Sequence, residues 1–227
     1  MVDIVIATRN RHKVRELKTL LAVPEVRWHA LAEFPETLAV RETGRTYDAN
    51  AIAKARAIAR ATGRLALADD SGLEVEALGG RPGVRSARFA GSHGNDQANN
   101  DKLLRFLTRV GKGRRRARYR CVLALASPPP RDARDHGRRG RSGERRRTTS
   151  PSGLIAVTRG TWSGRIAEAP AGTRGFGYDP IFFVPRFGKT VAELPAAVKQ
   201  RFSHRAVAAR RMRPVLMRLV FRYREIR

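Results

Sequence analysis

The sequence predicts an α/β fold, and three features carry that prediction. The chain opens with a β-branched run, Asp3-Ile4-Val5-Ile6-Ala7, then a polar loop, then an amphipathic helix with Val14, Leu17, Leu20 and Leu21 on one face. An Ala-rich helical stretch over 46–62, closed by Gly63, feeds a second apolar run at 65–68. Further apolar runs of strand length recur at 119–126, 154–162 and 181–184. A chain of 227 residues can bury a real core, and it reads as a single domain over 1–227.

Composition limits the functional classes. No run of about 18 apolar residues occurs, and residues 1–7 enter a strand pattern directly, so no membrane span or signal peptide is expected and the protein is placed in the cytoplasm. The single cysteine, Cys121, supports neither a disulfide framework nor a thiolate metal cluster and reads as a buried strand residue. The formal net charge is +27, which raises a nucleic-acid-binding reading. Its location weakens that reading: residues 109–147 hold 15 Lys or Arg against 3 acids, and residues 199–227 hold 10 against 1. Two local segments therefore account for most of the charge, superimposed on an ordinary domain.

Taken in order, the loop Thr8-Arg9-Asn10-Arg11-His12-Lys13 aims a helix N-terminus and a mobile cation at whatever lies above it, a setting that favours an anion. The plainer reading is that Thr8 or Asn10 only caps the helix. Residues 26–30 suggest a strand and 34–40 a loop. In the 46–62 helix, the stripe Ala49, Ile52, Ala53, Arg56, Ala57 and Arg60 is expected to face the sheet. Ala68-Asp69-Asp70-Ser71-Gly72 then brings two adjacent carboxylates and a hydroxyl to the expected end of a strand. Like charges so close resist joint ionisation unless a cation or proton relieves them, which points to a divalent metal; the alternative is a simple Asp-Ser-Gly turn.

Residues 73–78 alternate in strand fashion, and a helix is expected from an N-cap at Asp96 to about Val110. Residues 128–152 lack large aliphatics and are rich in Pro, Gly and Arg, so a disordered excursion is expected there. Residues 165–167 are read as a separate strand of the same meander. A glycine-rich loop over 172–180 carries Phe176 and Tyr178, which can stack on a planar ligand or fold onto the core. A terminal helix is expected over 196–220, kinked or ended near Arg213 by Pro214, with a basic tail at 221–227.

Each signal alone is weak, but their order is specific. Thr8-x-Asn10-x-x-Lys13, Glu42-Thr43-Gly44 with Asn50-Ala51, Ala68-Asp69-Asp70-Ser71-Gly72-Leu73, Pro82-Gly83 with Ser86-Ala87-Arg88, Phe176-Gly177-Tyr178-Asp179-Pro180 and Ser203-His204-Arg205 together closely resemble the inosine triphosphate pyrophosphatase family. The likeness spans about residues 2–220, apart from the 128–152 excursion.

The resemblance implies an elongated α/β fold: a long mixed twisted sheet with flanking helices, two lobes around a substrate groove, and a homodimer. It implies Mg²⁺-dependent hydrolysis of ITP, dITP or XTP to the monophosphate and pyrophosphate. Asp70 would be the catalytic residue and a metal ligand, with Glu42 or Asp69 completing the acidic site. The loop Thr8, Arg9, Asn10, Arg11, His12 and Lys13 would cradle the triphosphate, with its geometry mattering more than the side chains of Arg9, Arg11 and His12. Lys13 and Lys199 would neutralise charge, and Ser71 would bond a phosphate or the attacking water. Phe176 would stack on the purine, Gly177, Tyr178 and Asp179 would shape its pocket, and His204 and Arg205 would read its 6-keto oxygen. A basic nucleic-acid-binding protein and a Maf-like pyrophosphatase of modified pyrimidine nucleotides are the competing readings.

Overall fold

A computed structural model describes residues 1–35, 40, 42–91, 94–129 and 153–225. Most of the expected excursion, 130–152, and residues 226–227 lie outside these described residues.

One mixed sheet organises the chain. Its strands are β1 (Val2–Ile6), β2 (Val26–Ala30), β3 (Leu65–Val75), β4 (Arg116–Ala126), β5 (Leu154–Ile166), β6 (Phe182–Val184) and β7 (Lys189–Thr190), in the spatial order β2-β1-β3-β4-β5-β6-β7. β1 is parallel to both neighbours, and every pair from β3 onward is antiparallel. Helix α1 (Arg11–Leu20) connects β1 to β2, and α2 (Tyr47–Thr62) leads into β3. Parallel neighbours need such crossovers. α3 (Asp96–Phe106), α4 (Ala196–Phe202) and α5 (His204–Glu225) complete the fold.

Three apolar clusters fill it. On one sheet face, Ile4, Leu67 and Leu123 pack with Leu17 of α1 and with Met212 and Leu216 of α5. On the opposite face, the small residues Ala66, Ala68 and Ala124 receive Ala51, Ala55 and Ile58 of α2. Beyond these, Leu73, Tyr119, Phe182 and Leu103 form a third cluster at the far ends of β3 and β4. The three long strands β3, β4 and β5 thus run from the double-faced core into a second one, and the groove described below lies where they cross between the two.

Several expectations change. The Asp69-Asp70 pair is not a turn at a strand end: β3 continues through it to Val75, held by unbroken register with β4 from Ala66↔Ala126 to Val75↔Ala117. Gly72 serves close packing instead of turning, since a Cβ there would lie 2.5 Å from the Gly83 carbonyl oxygen. Residues 73–75 are the end of that same strand. Residues 165–166 likewise belong to one continuous β5 and are not a separate strand.

The buried face of α2 is Tyr47, Asn50, Ala51, Lys54, Ala55, Ile58 and Ala59, whereas Ala53 and Arg60 of the expected stripe are exposed. Asn50 and Lys54, outside the expected stripe, are buried because they meet Asp69 and Asp70 on the sheet. The expected 196–220 helix breaks at Ser203, which is extended (ψ 157°) and whose Oγ accepts the Ala206 N–H at 3.1 Å, capping α5. α5 then continues through Pro214 to Glu225, so 221–225 is helix and not tail. Pro214 is exposed, where water can meet the carbonyl its ring leaves without a donor. α3 is capped by Asn95, one residue before Asp96.

α5 docks tightly on β5 through Gly160, where a Cβ would lie 2.0 Å from the His204 carbonyl oxygen and 2.6 Å from the Ala208 nitrogen. Both contacts are backbone, so the helix itself would have to move. Gly160→Ala is expected to lower the unfolding free energy by about 1–3 kcal/mol in urea titrations, the usual cost of overpacking; unchanged stability would show that this contact is loose.

Candidate active site

The alternation of a β-strand sends neighbouring side chains to opposite faces of the sheet. In β3 this separates the two adjacent acids. Asp69, with Ser71 two residues on, faces α1 and α5, while Asp70 faces α2.

Asp69 is fully buried and has four side-chain donors. Lys13 Nζ (2.5 Å) and Ser71 Oγ (2.8 Å) reach Oδ1, and Arg205 Nε (2.9 Å) and Cys121 Sγ (3.2 Å) reach Oδ2. Burial alone would raise its pKa, but the charges of Arg205 and Lys13 reverse this and hold it well below the usual carboxylate range. Asp70 accepts from Lys54 Nζ (3.1 Å) and Asn50 Nδ2 (3.1 Å), both on α2. Here burial outweighs Lys54 and Lys13, with Glu42 adding repulsion, and the pKa is raised. Two adjacent carboxyls therefore have opposite proton affinities.

Lys54 Nζ also reaches Glu42 Oε1 (2.7 Å) and the Asp69 carbonyl oxygen (2.8 Å). Glu42 is further paired with Arg88. A cluster of carboxylate and carbonyl oxygens around a cation is the donor chemistry of a hard divalent ion, and Mg²⁺ is commonly held by one or two carboxylates together with substrate phosphates. Asp70 and Glu42 fit that description. Asp69 has both oxygens committed to other donors.

These groups line two adjoining cavities. The first, about 300 Å³, is bounded by Thr8, Asn10, Lys13, Glu42, Lys54 and Asp70 among others. The second, about 100 Å³, includes Phe176, Gly177, Tyr178, Asp179, Lys199, His204 and Arg205. Asn10, Lys13, Ser71 and Ala87 border both, so the two form one groove.

At the entrance, Asn10 caps α1: its Oδ1 accepts the N–H groups of His12 (2.9 Å) and Lys13 (3.1 Å), and its own N–H reaches Thr8 Oγ1 (3.2 Å). Arg9 borders the first cavity, but its guanidinium donates to the Pro35 carbonyl at 2.7 Å. Arg11 is exposed and borders neither cavity. His12 also borders neither, and its ring stacks on Phe176.

At the other end, Gly175 and Gly177 adopt positive φ (83° and 65°), letting the loop fold around Phe176. Asp179 is buried and accepts from Lys199 Nζ (2.5 Å), the Phe176 N–H (3.0 Å) and Tyr119 Oη (3.2 Å). Burial raises its pKa, with Lys199 opposing. Tyr178 Oη donates to the Ser86 carbonyl at 2.8 Å. His204 is stacked on Tyr119 with ring centroids 4.6 Å apart, and its Nδ1 has no hydrogen-bond partner among the described residues. Burial, reinforced by the adjacent Arg205 charge, pushes its pKa well down, so the ring is neutral.

Sequence reasoning missed Glu16, which pairs with Arg205 and lies 2.8 Å from Lys199 Nζ, and it missed Lys54. A signal existed for both. Glu16 follows Lys13 by three residues, one helical face; Lys54 follows Asn50 by four, inside the more apolar stripe of α2.

The Ham1 family model matches residues 4–215. The chain belongs to the Ham1 family. It is 47% identical over 208 residues to a dITP/XTP pyrophosphatase of Geobacillus kaustophilus, covering 92% of this chain and 91% of that one. A Bacillus subtilis dITP/XTP pyrophosphatase is 42% identical, with 95% and 98% covered. Among solved structures, a HAM1 protein from Coxiella burnetii superposes with a TM-score of 0.78 at 37% identity, covering 96% of this chain and all of that one. The Staphylococcus aureus Ham1 protein gives 0.74 at 38%, covering 94% and 97%. The mixed open sheet with flanking helices is thus a Ham1 fold.

The Asp69 network carries a stability prediction. A carboxylate with a depressed folded pKa stabilises the fold above its unfolded value of about 3.9 and loses that contribution as pH falls through the folded value. Asp69→Asn leaves Lys13 and Arg205 without their shared anion, and at pH 7 is expected to cost about 3–5 kcal/mol in urea unfolding, with a shallower acid dependence of stability. A cost below about 1 kcal/mol would remove Asp69 from the centre of the network.

Proposed function

We propose that this Ham1-family chain hydrolyses non-canonical purine nucleoside triphosphates, ITP, dITP and XTP, to the nucleoside monophosphate and pyrophosphate. The observation that carries this reading is the single groove with a buried acid of raised pKa at one end and an aromatic platform beside a neutral, unpartnered imidazole at the other. Its two adjoining cavities suit a nucleotide laid with its phosphates over α1 and its base against Phe176.

Lys13, shared by both cavities, neutralises phosphate charge, aided by the N-terminus of α1. Ser71 beside it, its proton donated to Asp69, can accept from the attacking water. Asp70 accepts the proton of the water that attacks the α-phosphorus, and the α–β bridging oxygen leaves with pyrophosphate. The Asp70 carboxylate is held in place for this by Lys54 and Asn50. Asp70 and Glu42 are the residues that would hold Mg²⁺, which supplies charge neutralisation along the phosphates when bound. Lys54 keeps the two acids close together.

At the base end, Phe176 offers a face for the purine, and His204 with the uncommitted N–H groups of Arg205 offers donors to a 6-keto oxygen. Adenine would set its 6-amino donor against those donors and leave both unsatisfied in a buried site, a mismatch that binding cannot recover elsewhere. The homodimer implied by the sequence resemblance and the cytoplasmic location expected from composition belong to this proposal, and light scattering in solution tests the dimer.

Purified protein with Mg²⁺ should release pyrophosphate from ITP and XTP with a kcat/KM at least about 100-fold above that for ATP. Equal rates on ATP would overturn the assignment. EDTA should abolish turnover and added Mg²⁺ restore it.

Asp70→Asn should reduce kcat by about 100-fold or more while the protein remains folded by circular dichroism. Near wild-type turnover in that variant would exclude Asp70 as the base.

A further inference from the structure

Phe176 owes its position to more than its own loop. The loop backbone is fixed by three polar contacts: Phe176 N–H to Asp179 Oδ2, Gly177 N–H to Asp96 Oδ2 at 2.6 Å, and Asn100 Nδ2 to the Gly177 carbonyl at 3.1 Å. None of them fixes the orientation of the ring. That comes from His12, whose imidazole lies parallel to it, centroids 5.1 Å apart and planes 18° from coplanar.

Which side His12 occupies follows from the cavities. Phe176 borders both the base cavity and a separate cavity of about 300 Å³ with apolar walls at Leu20, Val191 and Leu194. His12 borders only that separate cavity. The imidazole therefore covers the ring from behind and leaves the nucleotide side available. Lys199 Nζ and the Arg205 guanidinium approach the same ring at 4.6 and 5.6 Å from its centroid.

We infer that His12 is a positioning residue for purine recognition: it forms the back layer of a three-tier stack, imidazole, Phe176, purine. This rests on the nucleotide reading above. His12 sits in the phosphate loop, with its backbone N–H held by Asn10 Oδ1, so one residue joins the loop over the phosphates to the platform under the base. A flat backing ring keeps Phe176 parallel to an incoming base, and offset-stacked pairs of this kind contribute beyond the area they bury. The side chain at position 12 thereby acquires a role that its place in a polar loop does not suggest.

His12→Ala and His12→Phe test this, with ITP turnover and, independently, ITP affinity measured by calorimetry in EDTA. His12→Ala is expected to raise the KM and Kd for ITP about 2- to 12-fold, the range of aromatic-pair contributions, with kcat changed less than about twofold. His12→Phe should restore both constants, because it keeps a flat ring and removes the ring nitrogens. The Ki of inorganic tripolyphosphate, which has no base, should be the same in all three proteins. An unchanged KM in His12→Ala, an equal loss in His12→Phe, or a parallel change in tripolyphosphate Ki would overturn the inference. So would tighter ITP binding by His12→Ala, since it would place the imidazole on the purine's own face. Wild-type protein that binds ITP with this His12 dependence but never cleaves it would instead overturn the hydrolase reading.

Discussion

The site depends on a buried ion cluster in which one carboxylate, Asp69, binds two cations brought from opposite ends of the chain. Lys13 comes from the first helix and Arg205 from the last, and both meet the same side chain in the middle of β3. A carboxylate buried without partners would be neutral or would not be tolerated. With them it stays ionised and fixes the separation between the phosphate-facing and base-facing parts of the groove. Glu16 adds a second tie, pairing with both Arg205 and Lys199 from α1.

Strand geometry then decides what the neighbouring acid can do. Because Asp70 points to the other face, it lacks the Arg205 contact that depresses Asp69, and the charges of Lys54 and Lys13 with the Asn50 hydrogen bond offset its burial less completely. One peptide unit thus separates a carboxylate whose proton affinity two cations depress from one whose proton affinity burial raises. Had the pair lain in a turn, both side chains would have shared solvent and the same counter-charges, and this division would be lost. Four cations bordering the groove, Lys13, Lys54, Lys199 and Arg205, are each already oriented by an acid of the protein itself. A polyanionic substrate meets donors that are held in place beforehand, so little reorganisation is left to the bound state.

Much of this was legible in the sequence. Contiguous apolar runs identified the strands, because strands covered on both faces cannot hide their composition, and the ordered motifs brought Asp70, Lys13, Phe176 and the Ser203-His204-Arg205 block into one site. What the sequence concealed was orientation. Asp-Asp-Ser-Gly has the composition of a turn, and only cross-strand pairing with β4 shows that it is extended. The burial of Lys54 and Asn50 could not be read, because a polar side chain on an Ala-rich helix is buried only when a partner awaits it, and that partner lies 15 or more residues away in β3. Ser203 broke a helix whose pattern looked continuous, since a capping hydroxyl and a solvated one are the same residue in sequence. Pro214 was read by its local cost, which an exposed position reduces.

The two residues that follow Ser203 show why that break matters. Starting α5 at His204 puts His204 and Arg205 in its first turn, one beside the other, both buried. Two adjacent buried cations would be prohibitive, and only Arg205 has acids in contact. His204 therefore gives up its proton, stacked on Tyr119, with Nδ1 left without a partner among the described residues. A neutral imidazole can present either a donor or an acceptor from the same position, according to its tautomer. Beside a guanidinium that can only donate, the favoured arrangement for a ligand is an acceptor placed between them, with the imidazole adjusting to what lies alongside. Hypoxanthine and xanthine carry that acceptor at position 6, and adenine does not. On the proposed reading, selectivity at the base end would follow from how the fold manages charge: the ion pairs that hold Arg205 in place leave its charge beside His204, which keeps that neighbour uncharged.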